Sequence, residues 1–481
     1  METKIVEVVH PHSFEAKNHY YQKVLNSHLH PLVRNFIHLN NKLIISRYTH
    51  LHPEVNKEKL EELLAYKPKH FKWSGCDLFP TTTEKGIRKM ILVETNSCPS
   101  GQKSFPMLDD TDERGSYRLL IEKSFLPSLE ERELPNGSLA VLYDKNHIEA
   151  SGYAATIADL TNEDVFLIKY YSGNEENTDN IRFRDGVLEV MYEGNWQQIK
   201  AAFKYVTQKP WNRIPINTKT LIYNPIIVCL AGGRNKLIAS KAYDIFNGEL
   251  RNYGLEIRVP ETIWDVSKRE VPLWVDKMGG FAVIKNPYSN AGQGVYTITN
   301  KEELNKFMQT KHSYDLFIVQ SLIGNSTWSS IQSDKKLYHI GTVPNKKNHF
   351  FVADLRMMIC STEVGYRPVA LYARQAHKPL KTKLDVNEDS WQMLGTNLSI
   401  KLGENSWDSD INRLVLMDSR DFNRLGLGLD DLIEGFIQTV LANIAIDKMA
   451  DNLINSEKKL KVGLFRSLNN DESLINEIIK E

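Results

Sequence analysis

The sequence has few cysteines, no long apolar run and no excess of charge of either sign. Its four cysteines lie far apart, without metal-ligand spacing or the density of a disulfide scaffold: Cys76, Cys98, Cys229 and Cys360. No stretch approaches 18 consecutive apolar residues, and the N-terminus lacks the apolar core of a secretory signal. We therefore expect a reduced, cytoplasmic protein with no membrane span and no signal peptide.

The charge balance narrows the classes of partner. Lys and Arg together number 60, as do Asp and Glu. The absence of a basic excess weighs against binding to nucleic acid or to an anionic membrane. The chain of 481 residues is long enough for two or three packed domains. We expect small-molecule partners, and a homodimer is compatible with the sequence.

The usual glycine-rich phosphate motifs are also missing, since neither GK[ST] nor GxGxxG occurs at a suitable place. A different pattern is present at 281–299, FAVIKNPYSNAGQGVYTIT, which predicts a strand ending at Lys285, a loop of small residues, and a second strand. A lysine beside a loop whose backbone N–H groups can face a ligand is suited to polyphosphate. A surface hairpin with a solvated lysine is the alternative.

A second pattern of polar residues lies at 71–106. Two strands, 76–82 and 88–94, are predicted to form a hairpin that brings Asp77, Glu94 and Asn96 together, with Glu94 and Asn96 on one face. Two carboxylates and an amide oxygen are donors that Mg²⁺ prefers. A hairpin with solvated carboxylates is the alternative.

The remaining pattern predicts alternating strands and helices. Within 138–229, a small α/β unit is expected, with 196–205 helical or mixed and 222–229 a buried strand. Lys236 and Lys241 lie early in a helix that ends near Gly254, and the predictions that follow are a strand at 255–260, a linker at 264–277 and a strand at 316–320. Strands carrying Asp354, Arg356 and Arg374 come next. The tail from 458 is expected to be loosely held.

The order of these motifs resembles the ATP-grasp superfamily. It has a lysine early in a helix, a strand ending in Lys285 before a small-residue loop, a strand FIVQSLIG that would offer backbone groups to adenine, and a D-x-R strand. The E-x-N motif of that family normally closes the domain, whereas Glu94 and Asn96 precede Lys285. This order is similar to circularly permuted members such as eukaryotic glutathione synthetase and glutathionylspermidine synthetase-like ligases.

The resemblance implies an α+β ATP-grasp fold, circularly permuted, with two subdomains gripping ATP and an inserted small α/β domain. The four expected regions are a helical N-terminal region with the metal-site strands (1–137), a substrate-side domain (138–229), the nucleotide-binding subdomains (230–400) and a C-terminal helical region (401–481). It also implies that ATP and Mg²⁺ are bound. The implied ATP-binding residues are Lys236, Lys285, Ser289, Asn290, Gly292, Gly294, Gln320, Ser321, Leu322 and Ile323, and the implied metal ligands are Asp77, Glu94 and Asn96.

The implied reaction is ADP-forming ligation of a carboxylate to an amine through an acyl phosphate. Arg356 and Arg374 are candidates to clamp the substrate carboxylate or the developing phosphate charge, although a structural Asp354–Arg356 salt bridge is the competing interpretation. Lys241 is a weaker candidate than Lys236 for binding phosphate. The cations that could meet an anionic substrate are Lys103, Lys204 and Arg213. A small-molecule kinase and a non-catalytic ATP-binding protein remain alternatives.

Two departures from glutathione synthetase bear on the substrate. The loop that carries an acidic metal ligand in that enzyme has Asn290 and no acid here. The place of its substrate-binding arginine, two residues before the first aspartate, is occupied by Gly75. The resemblance therefore does not extend to glutathione as product, and the sequence names neither the carboxylate nor the amine.

Overall fold

The structure is a computed structural model, and it describes residues 5–109, 111–171, 179–207, 209, 211–288, 294–331, 336–384, 389–401 and 407–479. Within these ranges the chain forms three principal sheets and one two-stranded sheet, surrounded by helices. It is thus an α+β protein, as the sequence predicted. No helix in the described ranges combines the length and the apolar character needed to cross a bilayer.

The strands are numbered in chain order. They are β1 (Val6–Val9), β2 (Trp73–Thr83), β3 (Arg88–Asn96), β4 (Ser138–Tyr143), β5 (Val165–Lys169), β6 (Ile181–Arg184), β7 (Val187–Tyr192), β8 (Asn195–Tyr205), β9 (Leu221–Tyr223), β10 (Thr262–Ser267), β11 (Ala282–Lys285), β12 (Val295–Ile298), β13 (Leu316–Ser321), β14 (Leu337–His339), β15 (Ala353–Thr362), β16 (Gly365–Gln375), β17 (Ser399–Lys401), β18 (Trp407–Ser409) and β19 (Leu414–Val415).

The α-helices are numbered in the same way. They are α1 (Ala16–His19), α2 (Gln22–Leu25), α3 (Pro31–His38), α4 (Asn41–Leu51), α5 (Lys57–Leu64), α6 (Gly115–Leu120), α7 (Leu126–Ser128), α8 (His147–Thr161), α9 (Ile226–Val228), α10 (Lys236–Leu250), α11 (Val271–Lys277), α12 (Lys301–Gln309), α13 (Trp391–Leu394), α14 (Leu429–Leu453), α15 (Val462–Leu468) and α16 (Glu472–Ile479).

The first sheet has the order β1-β5-β4-β8-β7-β6, with β9 beside β8. Strands β5, β4, β8 and β9 run parallel, and α8 packs against β4 and β5. The parallel strands are almost continuously apolar, as expected when both faces of a sheet are covered. Strand β1, from the N-terminal region, extends this sheet antiparallel to β5.

The second sheet has the order β14-β2-β15-β16-β19, with β3 beside β2, and all its pairs are antiparallel. One face packs on the long helix α14, where a Cβ at Gly435 would lie 3.2 Å from Leu78 and 3.8 Å from Leu355. Because side chains alternate along a strand, the polar residues between these apolar positions lie on the other face. That face carries Asp77, Asp354 and Arg356.

The third sheet has the order β10-β13-β11-β12 and has its own apolar core. Strands β11 and β12 are antiparallel neighbours, and Lys285 is the last residue of β11. This confirms the strand–loop–strand prediction for 281–299 in the residues that the structure describes. The core of this sheet includes Ile284, Phe307 and Phe317.

Four segment predictions were wrong. Residues 196–205 lie in the extended strand β8, because parallel pairing with β4 and β9 overrides the local pattern. Residues 222–229 leave the strand at Asn224, whose φ is +56°, and enter a helical segment after Pro225. Residues 264–277 form part of β10 and all of α11 rather than a linker.

The fourth wrong segment is 255–260, which is extended but belongs to no strand. Its backbone hydrogen bonds go elsewhere. The N–H of Ile257 donates to the side chain of Asn247 at 2.7 Å, and the N–H of Arg258 donates to Gln438 at 2.7 Å. Side-chain partners on α10 and α14 thus replace a strand ladder.

The C-terminal segment also differs from its prediction, because much of the tail after residue 458 is packed. Asn469 is buried; its amide donates to the Tyr288 hydroxyl at 2.6 Å and its carbonyl accepts from the Asn235 amide at 2.8 Å. Glu477 accepts a hydrogen bond from the backbone of Trp211 at 2.9 Å. The tail therefore contacts segments that lie 181 to 266 residues away in the chain.

Candidate active site

A cavity lies between the second and third sheets. It collects residues from both sheets, from the start of α10 and from α13 and the segment after it. Its lining residues are Asp77, Phe79, Val93, Glu94, Lys236, Pro260, Val283, Lys285, Val295, Thr297, Gln320, Ser321, Leu322, Ile323, His339, Asp354, Arg374, Trp391, Leu394, Thr396 and Asn397. Most of the charged residues in this lining were predicted from the sequence to belong to one site.

Lys285 enters the cavity from the end of β11. Its side chain is buried, and Nζ donates to the backbone carbonyl of Val93 at 3.4 Å. Burial lowers the pKa of Lys285 to about 8, with Lys236 adding to the decrease and Glu94 opposing it. A buried ammonium group with so few charge partners is suited to an incoming anion.

Lys236 is the first residue of α10 and also lines the cavity. Asn235 caps the helix by accepting from the N–H of Ile238 at 3.2 Å, and the N–H of Lys236 donates to the carbonyl of Pro287 at 2.9 Å. The Lys236 ammonium lies 3.2 Å from the Glu94 carboxylate. The two predicted phosphate-binding lysines therefore converge on one end of the cavity, beside Glu94.

A β-bulge shapes this end. In the pairing of β2 with β3, Asp77 faces Glu94 while Leu78 faces Leu92, so Val93 is an extra residue. A bulge bends the strand and redirects its groups. Here both Val93 and Glu94 line the cavity, and the Val93 carbonyl receives Lys285.

Asp77 is bound by two arginines. Arg356 forms a bidentate pair with it at 2.6 and 2.8 Å, and Arg374 lies 2.8 Å from its second oxygen. Arg374 also makes a bidentate pair with Asp354, its neighbour across the β15–β16 ladder. The proposed Asp354–Arg356 pair is therefore replaced by Asp77–Arg356 and Asp354–Arg374 pairs. Burial raises the pKa of Asp77, but the two guanidinium groups outweigh this effect and hold the pKa below its usual value.

The three predicted metal ligands differ in how well they suit Mg²⁺. Asp77 does not fit, because both of its oxygens are already neutralised by guanidinium groups. Glu94 fits better, since it is paired with one lysine and lies at the open end. Asn96 follows on the same face of β3, and its carbonyl accepts from Arg234 at 3.2 Å. Among the described residues, no group of three or more His, Cys, Asp and Glu side chains is placed to hold a metal ion.

The end of β13 forms another wall. Gln320, Ser321, Leu322 and Ile323 all line the cavity, as the sequence placed them. Several backbone donors that the resemblance assigned to adenine are already used. The N–H of Ser321 donates to Glu261 at 2.9 Å, and that of Leu322 to the Ser330 hydroxyl at 2.6 Å.

Most of the predicted phosphate loop lies outside the described residues. Ser289, Asn290 and Gly292 are among the residues that are not described. Its last residue, Gly294, has φ of +65°, and a Cβ there would lie 2.4 Å from the Asn286 side chain. Glycine is thus required where the loop closes on β12. The N–H of Asn286 donates to the Gly294 carbonyl at 2.8 Å, so the loop's two ends are joined.

The other predicted cations have protein partners outside the cavity lining. Lys241 binds Asp265 at 2.8 Å, and the ammonium of Lys204 lies 3.2 Å from the Cys98 sulfur. Lys103 lies 3.8 Å from Glu149. Arg213 contacts the Tyr170 carbonyl and Asp144. A direct role toward an anionic substrate stays a prediction for these residues.

Sequence reasoning missed four cavity residues: His339, Trp391, Thr396 and Asn397. His339 lies in the three-residue strand β14, which has no amphipathic pattern long enough to detect. Thr396 donates to Asp354 at 3.0 Å and so completes the partner set of that carboxylate. No spacing in the sequence links these positions to the motifs around Glu94 and Lys285.

No protein-family model matches the sequence, and no curated protein matches it. Solved structures of low similarity were found. A glutathione synthetase-like effector from Globodera pallida is 11% identical, with a TM-score of 0.40, over 73% of this chain and 86% of that chain. An ATP-grasp RimK-domain protein from Sphaerobacter thermophilus is 11% identical, with a TM-score of 0.29, over 49% of this chain and 90% of that chain.

A D-alanine–D-alanine ligase from Helicobacter pylori is 10% identical, with a TM-score of 0.24, over 49% of this chain and 90% of that chain. Because these overlaps are weak, we base the functional proposal on the geometry of the cavity. The circular permutation and the roles of the site residues stay predictions. The similar structures found include ATP-grasp proteins and a glutathione synthetase-like effector.

Proposed function

We propose that this protein is an ADP-forming ligase that binds ATP in the cavity and joins a carboxylate to an amine. The observation that carries the proposal is the convergence of Lys236, Lys285 and Glu94 in a cavity whose lining also includes many apolar side chains. A nucleoside triphosphate has the matching shape, with its charge at one end and a flat, apolar base at the other.

The cavity's charges favour a polyanion. Its charged lining residues and Arg356 comprise four basic groups, Lys236, Lys285, Arg356 and Arg374, and three acidic ones, Asp77, Glu94 and Asp354. The two arginines and the two aspartates of this set balance in charge, so its net positive charge comes from the two lysines and Glu94. Lysine serves as a point charge for phosphate oxygens, and burial strengthens the attraction because little water competes.

In the proposed reaction, an oxygen of the substrate carboxylate attacks the γ-phosphorus of ATP, and the bond to the β–γ bridging oxygen breaks. The products are an acyl phosphate and ADP. An amine then attacks the acyl carbon and expels phosphate, forming the amide and releasing one proton. Such chemistry depends chiefly on positioning and charge neutralisation.

The chain's residues would divide these tasks. Lys236 and Lys285 would neutralise the phosphates, and Arg374, which lines the cavity, would meet the developing charge or the substrate carboxylate. Arg356 would keep Asp77 and thereby Arg374 in position. The loop between β11 and β12 would exclude water, which would otherwise hydrolyse the acyl phosphate.

Mg²⁺ would be held by Glu94, with further ligands from phosphates and water. Asn96 stays a predicted ligand, because its carbonyl oxygen accepts from Arg234. When bound, it would supply charge neutralisation at the phosphates. Asp77 is excluded from this set because its oxygens are bound by Arg356 and Arg374.

The proposal is tested by ADP release from Mg-ATP with a pooled panel of amino acids, polyamines and small peptides. We expect ADP only when a carboxylate and an amine are both present, and its loss in Lys285→Ala and Glu94→Ala. Lys301→Ala is a matched control, since Lys301 is an exposed lysine outside the cavity.

The other outcomes are equally clear. ADP formed with a single acceptor would replace the ligase with a small-molecule kinase. Binding of ATP without turnover across the panel would favour a non-catalytic nucleotide-binding protein. Absence of any ATP binding by calorimetry would overturn the proposal.

A further inference from the structure

The cavity end remote from the lysines is apolar, yet it contains two polar side-chain atoms without hydrogen bonds. Its walls include Phe79, Val283 and Leu322. Within the described part of the chain, neither Ser321 Oγ nor His339 Nδ1 has a partner. Ser321 is 2% exposed and His339 is 8% exposed. Buried polar groups are normally paired, so an unpaired pair lining one cavity points to a ligand.

His339 is held firmly in this position. It is paired with Thr81 across the β2–β14 ladder, and its backbone N–H donates to the Gly324 carbonyl at 2.9 Å. Its ring packs edge-on against Phe79, with centroids 4.6 Å apart and an interplanar angle of 86°. Burial lowers the pKa of His339 to about 3, so the ring is neutral at pH 7. A neutral imidazole has one acceptor nitrogen, and because the ring also donates to the Ile323 backbone, the unpaired Nδ1 takes that role.

The spacing to the lysine end suits a nucleotide. Thr81, the partner of His339, lies four residues beyond Asp77 along β2, which corresponds to about 13 Å of extended strand. Asp77, Phe79 and Thr81 share one face of the sheet, because side chains alternate. His339 therefore stands at the far end of the surface on which Glu94 marks the phosphate end.

Three backbone N–H groups near this end of the cavity are already used, so side chains would take part in recognising a base. The N–H groups of Ser321, Leu322 and Gly324 already donate to protein acceptors, the last to the Ser329 hydroxyl at 2.7 Å. A hydroxyl can donate or accept, whereas the neutral ring offers an acceptor at an unpaired nitrogen. Adenine presents a 6-amino donor, whereas guanine and hypoxanthine present a 6-carbonyl acceptor.

We infer that His339 and Ser321 select the base, with His339 Nδ1 accepting from the 6-amino group of a purine triphosphate and Ser321 Oγ bonding to an adjacent ring nitrogen. This inference rests on the proposed nucleotide site and extends it to a preference for 6-aminopurines. A 6-carbonyl would bring an acceptor against the His339 acceptor and leave both without a donor.

The test compares the dissociation constants of ATP, ITP and purine riboside triphosphate by calorimetry in Mg²⁺ buffer. ITP has a 6-carbonyl and purine riboside triphosphate has no 6-substituent. We expect the intact protein to bind both about tenfold or more weakly than ATP. His339→Phe retains the ring packed on Phe79 but removes the acceptor, and should reduce the ATP preference to about threefold or less. Ser321→Ala should weaken ATP severalfold.

Tyr338→Phe is the matched control, because Tyr338 precedes His339 on β14, bonds to Glu84 at 2.8 Å and lies outside the cavity lining. Equal binding of the three nucleotides by the intact protein would overturn the inference and leave the nucleotide site standing. An unchanged preference in His339→Phe would do the same. If none of the three nucleotides binds, both proposals are overturned. The comparison of nucleotides in the intact protein does not depend on the folding of any variant.

Discussion

At the scale of single residues, the site contains charged groups whose burial destabilises the native state. Lys285 is the main case, since its pKa of about 8 in the folded chain lies below its ordinary value of 10.5. A lysine depressed in this way destabilises the native state while it is charged. Native stability attributable to it rises as the pH increases from about 8 toward 10.5. Such a residue is retained for function at a cost to stability.

Replacement of Lys285 by methionine should therefore stabilise the nucleotide-free protein and weaken nucleotide binding. At pH 7 we expect the melting temperature to rise by about 2 °C or more, because a buried charge is removed at nearly constant volume. ATP affinity should fall about tenfold or more, as a charged hydrogen bond is lost. Lys301→Met is the control. A lower melting temperature in Lys285→Met would contradict the assignment of unfavourable burial.

Nucleotide affinity should depend on pH through the same lysine. Only the ammonium form attracts phosphate, and Lys285 loses its proton near pH 8 when no ligand is present. The dissociation constant of ATP should therefore increase between pH 7 and 9.5, with proton uptake on binding in the upper part of that range. Lys285→Arg should give a flat profile, because arginine stays charged. Calorimetry in buffers of different ionisation enthalpy measures both quantities.

Removal of Arg374 should destabilise the fold strongly. Its guanidinium serves Asp77 and Asp354 together, so Arg374→Met leaves buried carboxylate charge uncompensated. The expected loss in unfolding free energy is about 3–5 kcal/mol. Urea denaturation measures it, with Arg47→Met as the control because Arg47 forms an exposed pair with Asp430.

The acid dependence of that loss follows from the depressed pKa of Asp77. A carboxyl whose pKa falls on folding stabilises the native state above its unfolded value of 3.8, and this contribution disappears as the pH drops through the folded value. The difference between the intact protein and Arg374→Met should therefore shrink below pH 4. A difference that is constant from pH 7 to 3 would exclude the ion pair as its origin.

The residues predicted from sequence were those marked by local patterns. Lys285 ends an apolar run and precedes small residues, and Glu94 and Asn96 alternate on a predicted hairpin strand. Asp77 was placed correctly in space, but its arginine partners are 279 residues or more away in the chain. Pairing at that separation depends on strand order in the sheet, which no local pattern encodes. His339 was missed for the same reason.

At the scale of elements, Gly75 explains why this site lacks a basic residue that the resemblance led us to seek. A Cβ at Gly75 would lie 2.6 Å from Pro99 Cβ and 3.1 Å from Met358 Cγ. Strand β2 therefore packs too closely on the turn after β3 to accept an arginine there. Packing therefore excludes a long side chain at this position.

Even alanine at position 75 should be costly. Gly75→Ala should reduce the unfolding free energy by about 1–3 kcal/mol, because Pro99 and its turn must move. Gly248→Ala is the matched control, since a Cβ there meets nothing within 4 Å and the residue lies inside α10. That control should be neutral or stabilising by up to about 1 kcal/mol. Equal effects of the two substitutions in urea denaturation would contradict the packing explanation.

Element predictions succeeded where the pattern was long and failed where tertiary contacts supplied the hydrogen bonds. The β2–β3 hairpin and α14 have sustained periodicity. The segment 255–260 reads as a strand, but side chains of Asn247 and Gln438 take its donors. Strand β8 has an uneven pattern because its second half is buried on both faces in a parallel sheet, whereas its first half is not.

At the scale of the whole molecule, the C-terminal tail connects the lysine helix to the loop after β11. Asn469 bonds to Asn235, which caps α10, and to Tyr288, which follows Lys285 by three residues. The tail thus helps to fix the two elements that carry the lysines relative to one another. We expected a loosely held tail because the tail is rich in charged residues. Those residues lie on its exposed face, and nothing in the sequence marks Asn469 as buried.

Asn469→Ala tests whether the tail supports the two elements that carry the lysines. The variant leaves the Asn235 amide and the Tyr288 hydroxyl without their buried partner, and unfolding free energy should fall by about 1–3 kcal/mol. Hydrogen exchange should accelerate in α15 and in the first turn of α10. Asn412→Ala, at an exposed position, is the control. Faster exchange confined to α15 would show that the tail does not support the lysine helix.

The pairing of Asp77 with Arg356 and Arg374 also orders events during synthesis. Asp77 leaves the ribosome first, and 279 residues must follow before Arg356 is made. At 5–20 residues per second, this interval is on the order of tens of seconds. A nascent chain therefore carries a hairpin carboxylate whose counter-ions do not yet exist, and no fragment that ends before β16 can assemble the cavity. Completion of the cavity thus marks a defined point in synthesis, the emergence of β16.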